Sequence, residues 1–200
     1  MKKTYIIAEI GINHNGCLKT AKKLIDISAA AGCDAVKFQK RNPDVCVPEH
    51  QKGVMRDTPW GKMTYLDYKY KVEFNQDEYD EIDRYCKQQN IAWSASPWDL
   101  DSLKFLEQYD IPFIKIPSAM ITNKNLISAA GETGKKIIIS TGMSTPEEID
   151  EAVNELEVHC EYKDIAILHC NSTYPAPIEE LNLSCIKTLK EKYSNIDIGY

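Results

Sequence analysis

The feature that most constrains this chain is a strict alternation of short β-rich runs with longer amphipathic stretches. Seven runs recur, at 5–10, 35–39, 91–96, 113–116, 136–141, 165–170 and 196–199, rich in β-branched and aromatic residues and only weakly alternating in polarity. Near-continuous apolar character is what strands covered on both faces show. Strict β–α alternation implies a parallel sheet. The intervening helices declare themselves by spacing and caps. Ala21, Leu24, Ile25 and Ser28 share one helical face, and Gly32 suits the C-terminal cap. Asn75 with Glu78 reads as a helix start, as does Thr145-Pro146-Glu147-Glu148. Asp99 opens another helix, carrying Leu103, Leu106 and Tyr109.

Two architectures fit such a pattern, a closed barrel and a doubly wound sheet. The first strand runs into Glu9-Ile10-Gly11-Ile12-Asn13-His14, without the G-x-G-x-x-G turn of a dinucleotide fold, and no Walker A sequence occurs. The expectation is therefore a TIM-type (β/α)8 barrel, represented by about six βα units and a seventh strand. An eight-stranded barrel runs to about 250 residues, so residues 1–200 are expected to be a partial barrel catalytic domain, with the last βα units beyond Tyr200. One connection is irregular. Residues 40–74 far exceed the usual βα loop and hold Pro43, Pro48, Pro59, Trp60 and several tyrosines. Such a segment reads either as an active-site cover or as a surface excursion or oligomer contact.

Bulk properties narrow the function. The net charge is −6, and no Lys/Arg block marks a nucleic-acid partner. An acidic chain still binds an anion where a few lysines dominate a pocket. The seven cysteines are odd in number and form no CxxC pair, which points to reduced thiols and a cytoplasmic location. No apolar run approaches a membrane span. The N-terminal Met-Lys-Lys-Thr leads into a run too short for a signal sequence.

Each strand ends in something polar. In order these are Glu9; Lys37 and Gln39; Ser94 and Ser96; Lys115 and Ser118; Ser140 and Thr141; and His169, followed by Asn171, Ser172 and Tyr174. Active sites of barrel enzymes sit at that face. Lys37 and Gln39 share one side of their strand, and Lys115 lies between two isoleucines. A lysine inside a barrel is costly unless it meets an anion. Two lysines with Ser96 and Ser118 suit a phosphate or carboxylate ligand. The alternatives are internal salt bridges with Glu9 or a Schiff-base lysine. Glu9 either balances the lysines or orients a hydroxyl and moves a proton. His14 suits a plain turn, and His169 suits a hydrogen-bonded core histidine. The prolines around Tyr174 either hold its ring over the pocket or pack it. No histidine spacing typical of a metal site appears, so no metal ligand is assigned within the chain.

Taken in order, these motifs resemble the sialic acid (N-acetylneuraminate) synthase family. They are Ile7-Ala8-Glu9-Ile10-Gly11 with Asn13-His14-x-Gly16, Val36-Lys37-Phe38-Gln39, Ser96-Pro97, Phe113-Ile114-Lys115-Ile116-Pro117-Ser118, Ser140-Thr141-Gly142-Met143, and Leu168 through Pro175. The stretch from Trp60 to Phe74 resembles the family's excursion after the second strand. The resemblance implies a TIM barrel that condenses phosphoenolpyruvate with an N-acetylhexosamine, typically N-acetylmannosamine or its 6-phosphate. The product is a nonulosonic acid, and phosphate is released. It implies phosphoenolpyruvate binding by Lys37, Ser96, Lys115, Ser118 and Ser172, and a sugar region lined by Glu9, Gln39 and Tyr174. It further implies a divalent metal (Mn2+ or Mg2+) whose histidine ligands lie beyond Tyr200. A C-terminal antifreeze-like domain, also absent here, would complete the partner's site in a homodimer. One departure stands inside the chain. Many members carry an acid two residues after the strand-four serine, where this sequence reads Ser118-Ala119-Met120. Two readings remain beside the synthase: a class I aldolase using Lys37 or Lys115, and a non-catalytic barrel fragment that binds sugar phosphate.

Overall fold

All seven expected runs are strands in the computed structural model, which describes residues 3–200, with ends shifted by at most two residues. Met1 and Lys2, which open the N-terminal stretch read above for targeting, lie outside the described residues. The chain divides into two units, Met1–Ile111 and Pro112–Tyr200, each built on its own parallel sheet.

In the first unit, β1 (Ile7–Gly11) is followed by α1 (Leu18–Ala30) and β2 (Ala35–Lys40). The excursion comes next, comprising α2 (Pro43–Cys46), α3 (Glu49–Lys52), β3 (Met55–Thr58), β4 (Gly61–Thr64) and α4 (Tyr65–Val72). Then come α5 (Gln76–Gln88), β5 (Ala92–Pro97) and α6 (Leu100–Glu107). The sheet order is β1-β2-β5. Val36, Phe38 and Ala95 are fully buried along this sheet, with Ile25 of α1, Ile82 and Tyr79 of α5, and Leu106 of α6 completing the core. Burying each large side chain contributes about 1.5–3 kcal/mol. The expected cap at Asn75 is a complete capping box with Glu78, and Asp99 caps α6 through Ser102 N–H at 2.7 Å.

Residues 40–74 are folded rather than open loop. The β3–β4 hairpin is antiparallel, pairing Met55 with Thr64 and Thr58 with Gly61. Thr64 caps α4 by accepting from Asp67 N–H at 3.1 Å.

The second unit runs β6 (Phe113–Ile116), α7 (Lys124–Glu132), β7 (Lys136–Ser140), α8 (Pro146–Glu157), β8 (Ile165–Leu168), α9 (Cys185–Lys192) and β9 (Asp197–Gly199). Its parallel order is β6-β7-β8-β9. One face is almost pure isoleucine: Ile114, Ile116, Ile137, Ile139, Ile165 and Ile167, all fully buried. Leu126 and Ile127 of α7 and Leu156 of α8 are fully buried too. Lys115 and Ser140 fall on the opposite face, as the period of two requires. Thr145 and Glu148 form the expected capping box of α8, with Pro146 in its first turn.

Candidate functional site

The first unit places a charged row at the ends of its strands. Register puts Glu9 opposite Lys37, Lys37 opposite Ser94, and Gln39 opposite Ser96. Lys37 is only 5% exposed. Its ammonium forms a close ion pair with Glu9 Oε2 and donates to Ser96 Oγ at 3.1 Å. The salt bridge left open as an alternative is thus present, together with a serine contact. Two of the three ammonium hydrogens are used, so one remains for an incoming oxygen. The Glu9 side chain is 54% exposed, so its carboxylate stays open to an approaching polar group.

Backbone geometry fixes this arrangement. A bulge between Glu9 and Gly11 sets Gly11, not Ile10, against Phe38. Gly11 has φ +56°, and a Cβ there would stand 3.1 Å from Glu9 Oε1 and 3.4 Å from Gln39 Nε2. Glu9 and Gln39 therefore flank one glycine, and any side chain at Gly11 would enter the space between them.

His14 is more than a turn residue. It is 2% exposed, stacks on Phe74 with ring centroids 4.0 Å apart, and its Nδ1 accepts from Gly16 N–H at 3.1 Å. Burial pulls its pKa down to about 4, against a smaller opposing effect from a hydrogen bond with the Gly11 backbone. Near neutrality the ring is a neutral strut beneath the β1 turn. Sequence offered no sign of this, because Phe74 lies 60 positions away.

The second unit carries a row of neutral donors. Gly142 N–H donates to Ser118 Oγ at 3.0 Å. A Cβ on Gly142 would lie 2.9 Å from Ser118 Oγ and would collide with Ser172 Oγ, so both hydroxyls converge on this glycine. Lys115 is half-buried on β6, three residues before Ser118. Met120 ends the 3-10 turn Ser118–Met120. His169 lies just past β8, with Nε2 2.8 Å from the Leu181 carbonyl oxygen, which agrees with a hydrogen-bonded structural histidine. Tyr174 is joined to Pro175 by a cis peptide bond, and its side chain is 92% exposed.

Glu9, Lys37, Gln39 and Ser96 are thus one cluster, and Ser118 and Ser172 another. Arg41 was missed by sequence reading, yet its Nη2 donates to Gln39 Oε1 at 2.5 Å. Among the described residues no group of three or more His, Cys, Asp and Glu side chains converges as a metal site would require. Residues 3–200 therefore do not by themselves fit a metal ion. No described helix is long and apolar enough to cross a membrane.

Comparison with known proteins places these clusters in context. The NeuB family model matches residues 24–200. The chain is 39% identical to an N,N'-diacetyllegionaminic acid synthase of Campylobacter jejuni, covering 100% of this chain and 60% of that protein. It is 38% identical to an N-acetylneuraminate-9-phosphate synthase of Drosophila melanogaster, covering 98% of this chain and 53% of that one. The crystal structure of an N-acetylneuraminic acid (sialic acid) synthetase from Leptospira borgpetersenii, solved with citrate, superposes with TM-score 0.88 at 32% identity, covering 100% of this chain and 65% of that structure. The chain therefore spans little more than half the length of these curated relatives.

Proposed function

This chain belongs to the NeuB family, and from that premise we propose that it carries the phosphoenolpyruvate-binding part of a synthase making a sialic or related nonulosonic acid. Its parallel strands belong to a (β/α)8 barrel in this reading, and the acceptor is an N-acetylhexosamine such as N-acetylmannosamine or a relative. The observation that carries the proposal is the buried Lys37 ammonium, held by Glu9 and Ser96 with one hydrogen to spare.

Lys37 and Ser96 bind one oxyanion of phosphoenolpyruvate; Lys115, Ser118 and Ser172 bind another. The hydroxyls converging on Gly142 suit the phosphoryl oxygens, since they donate without bringing further charge. Glu9, Gln39 and Tyr174 orient the sugar. The enolpyruvate methylene carbon attacks the open-chain aldehyde, forming the new C–C bond while the aldehyde oxygen takes a proton. Water adds to the cationic C2 and loses a proton. The bond from C2 to the phosphate-bearing oxygen then breaks while the C2 hydroxyl gives its proton to the departing phosphate, leaving the ketone. In this reading Glu9, half-exposed beside the ammonium, accepts and returns a proton in these steps. A divalent metal would supply Lewis-acid polarisation of the aldehyde. Among the described residues no group of three or more His, Cys, Asp or Glu side chains converges to hold it. The same reading makes the protein a cytoplasmic homodimer with small-molecule substrates, and no nucleic-acid or membrane partner.

The test is phosphate release from phosphoenolpyruvate by the product of the whole gene, with manganese and either N-acetylmannosamine or a diacetamido hexose. Turnover with one of these is expected; no turnover with any amino sugar sinks the proposal. The aldolase reading needs a lysine amine free to form a carbinolamine, and Lys37 is engaged by Glu9 and Ser96. Borohydride with pyruvate should therefore trap no adduct at Lys37, and trapping at neither Lys37 nor Lys115 removes the aldolase reading.

A further inference from the structure

Gln39 is half-buried beside Gly11, and the way its amide points decides what the space over that glycine can bind. A side-chain amide has a donor half and an acceptor half of similar size. In one orientation Gln39 turns its N–H bonds towards Gly11. In the other it turns a carbonyl oxygen there, across from the Glu9 carboxylate, and the two residues offer acceptors only.

Arg41 selects between them. Its Nη2 stands 2.5 Å from one end of the Gln39 amide. A guanidinium only donates, so the atom it meets is the oxygen, Oε1, and the nitrogen is turned away. Gln39 Nε2 then lies 3.4 Å from the point a Cβ on Gly11 would occupy, and Glu9 Oε1 lies 3.1 Å from the same point. A donor and an acceptor thus flank the glycine. A hydroxyl suits that pairing, since its hydrogen goes to the carboxylate and its oxygen accepts from the amide. Against two acceptors its single hydrogen would leave one unmet.

Both ends of the contact are anchored. Arg41 is 7% exposed. Its Nη1 faces Glu73 Oε1 as an ion pair at 3.6 Å, and its backbone N–H donates to Glu73 Oε2 at 3.2 Å. The Trp98 ring lies 4.1 Å from the guanidinium carbon. On the other side, Tyr79 Oη donates to the Gln39 carbonyl oxygen at 2.9 Å. Glu73 has further duties. It lies 3.7 Å from Lys40 Nζ. It also opposes the fall of the buried Lys69 pKa to about 8, which burial and then the Arg41 charge bring about. Replacing Glu73 would therefore disturb three cations, so Arg41 is the residue to change.

We propose that Arg41 is a positioning residue of this site: through Oε1 it holds the Gln39 amide with its N–H bonds facing the space over Gly11, across from the Glu9 carboxylate. Arg41 acts through Gln39. That a hydroxyl of the amino-sugar acceptor occupies the space rests on the synthase reading, whereas the orientation of the amide does not.

Two measurements on the product of the whole gene test this. The first is nuclear Overhauser contact between the Gln39 side-chain amide protons and the Gly11 α protons. It uses protein with protonated glycine and glutamine in a deuterated background, the Gln39 signal being identified by its loss in Gln39→Met. The contact is expected in the wild type, and its absence overturns the proposal. The second is a double-mutant cycle on KM for the amino sugar that supports turnover. Arg41→Met should raise this KM at least about threefold, within the worth of one neutral hydrogen bond, and leave KM for phosphoenolpyruvate unchanged. In the Gln39→Met background the same change should add less than about twofold, because the group it acts through is gone. A smaller rise from Arg41→Met, a matching rise in KM for phosphoenolpyruvate, or an undiminished rise in the Gln39→Met background overturns the proposal. Should Arg41→Met fail to fold, the Overhauser contact in the wild type decides. Failure of the synthase reading would appear separately, as absent turnover by the wild type, and the same contact then decides alone.

Discussion

The two polar rows solve the same problem in opposite ways. In the first unit an ammonium is buried and answered by a half-exposed carboxylate, with a serine hydroxyl alongside. In the second, two serine hydroxyls crowd a glycine with no ionised group among the three residues. The first arrangement is strong but unequal, since one partner is deep in the protein and the other reaches water. The second is weaker per contact and relies on close approach. Charge placement governs one row, and the size of a single side chain governs the other.

Substitutions can break this contrast, and the largest effect should come from Lys37→Met. Removing one preorganised donor to a developing charge typically costs 10²–10³-fold in rate, so phosphoenolpyruvate turnover should fall by about that factor. Folding stability, read by urea denaturation, should change by less than about 1 kcal/mol, because the carboxylate left behind is hydrated. Glu9→Gln reverses the logic. It strands a buried ammonium without its counter-charge and should cost about 3 kcal/mol of stability, although Glu9 is the more exposed partner. Equal losses from the two variants would contradict the asymmetry.

In the second unit Gly142→Ala should destabilise by about 2 kcal/mol through overpacking against Ser118 and Ser172. Combining it with Ser172→Ala should recover part of that loss, and no recovery would show that the hydroxyl is not the obstacle. His14 supplies a pH signature for the first unit alone. Its folded pKa is lowered to about 4 from 6.5, so the unfolded chain takes up the proton first as pH falls. The stability contributed by the neutral ring is complete above pH 6.5 and declines from there towards pH 4, by on the order of 3 kcal/mol. His14→Asn should flatten that part of the profile. The smallest effect belongs to Tyr174→Ala, which should shift stability by less than about 0.5 kcal/mol given its exposure. A raised KM for the sugar in that variant would support the expected contact.

Local signals carried much of the fold. The strands were legible because residues such as Ile137–Ile138–Ile139 are apolar on consecutive positions, and the caps at Asn75 and Thr145 were legible because partner residues stand three apart. The β3–β4 hairpin was not. Met55–Thr58 and Gly61–Thr64 have neither clear alternation nor β-branched enrichment, and they pair through a turn at Pro59-Trp60. Lys37 with Ser96, and Ser118 with Ser172, were singled out because they end strands and recur in family motifs. Arg41, Lys69, Glu73 and Trp98 escaped notice for a physical reason. Arg41 meets the other three across separations of 28 to 57 positions, which no local periodicity encodes.

The bulge at Ile10 has a consequence for how this chain tolerates insertions and deletions. Two steps along β1 are matched by one along β2, so Gly11, the last paired residue of β1, runs one count out of phase with its neighbour strand. Deleting a single residue there would restore the phase and keep a smooth ladder. It would also rotate the following turn by half a pleat and lift His14 away from Phe74. A change that makes the sheet more regular would therefore unseat the turn that follows the carboxylate, and length at this point should be more tightly held than chemical identity.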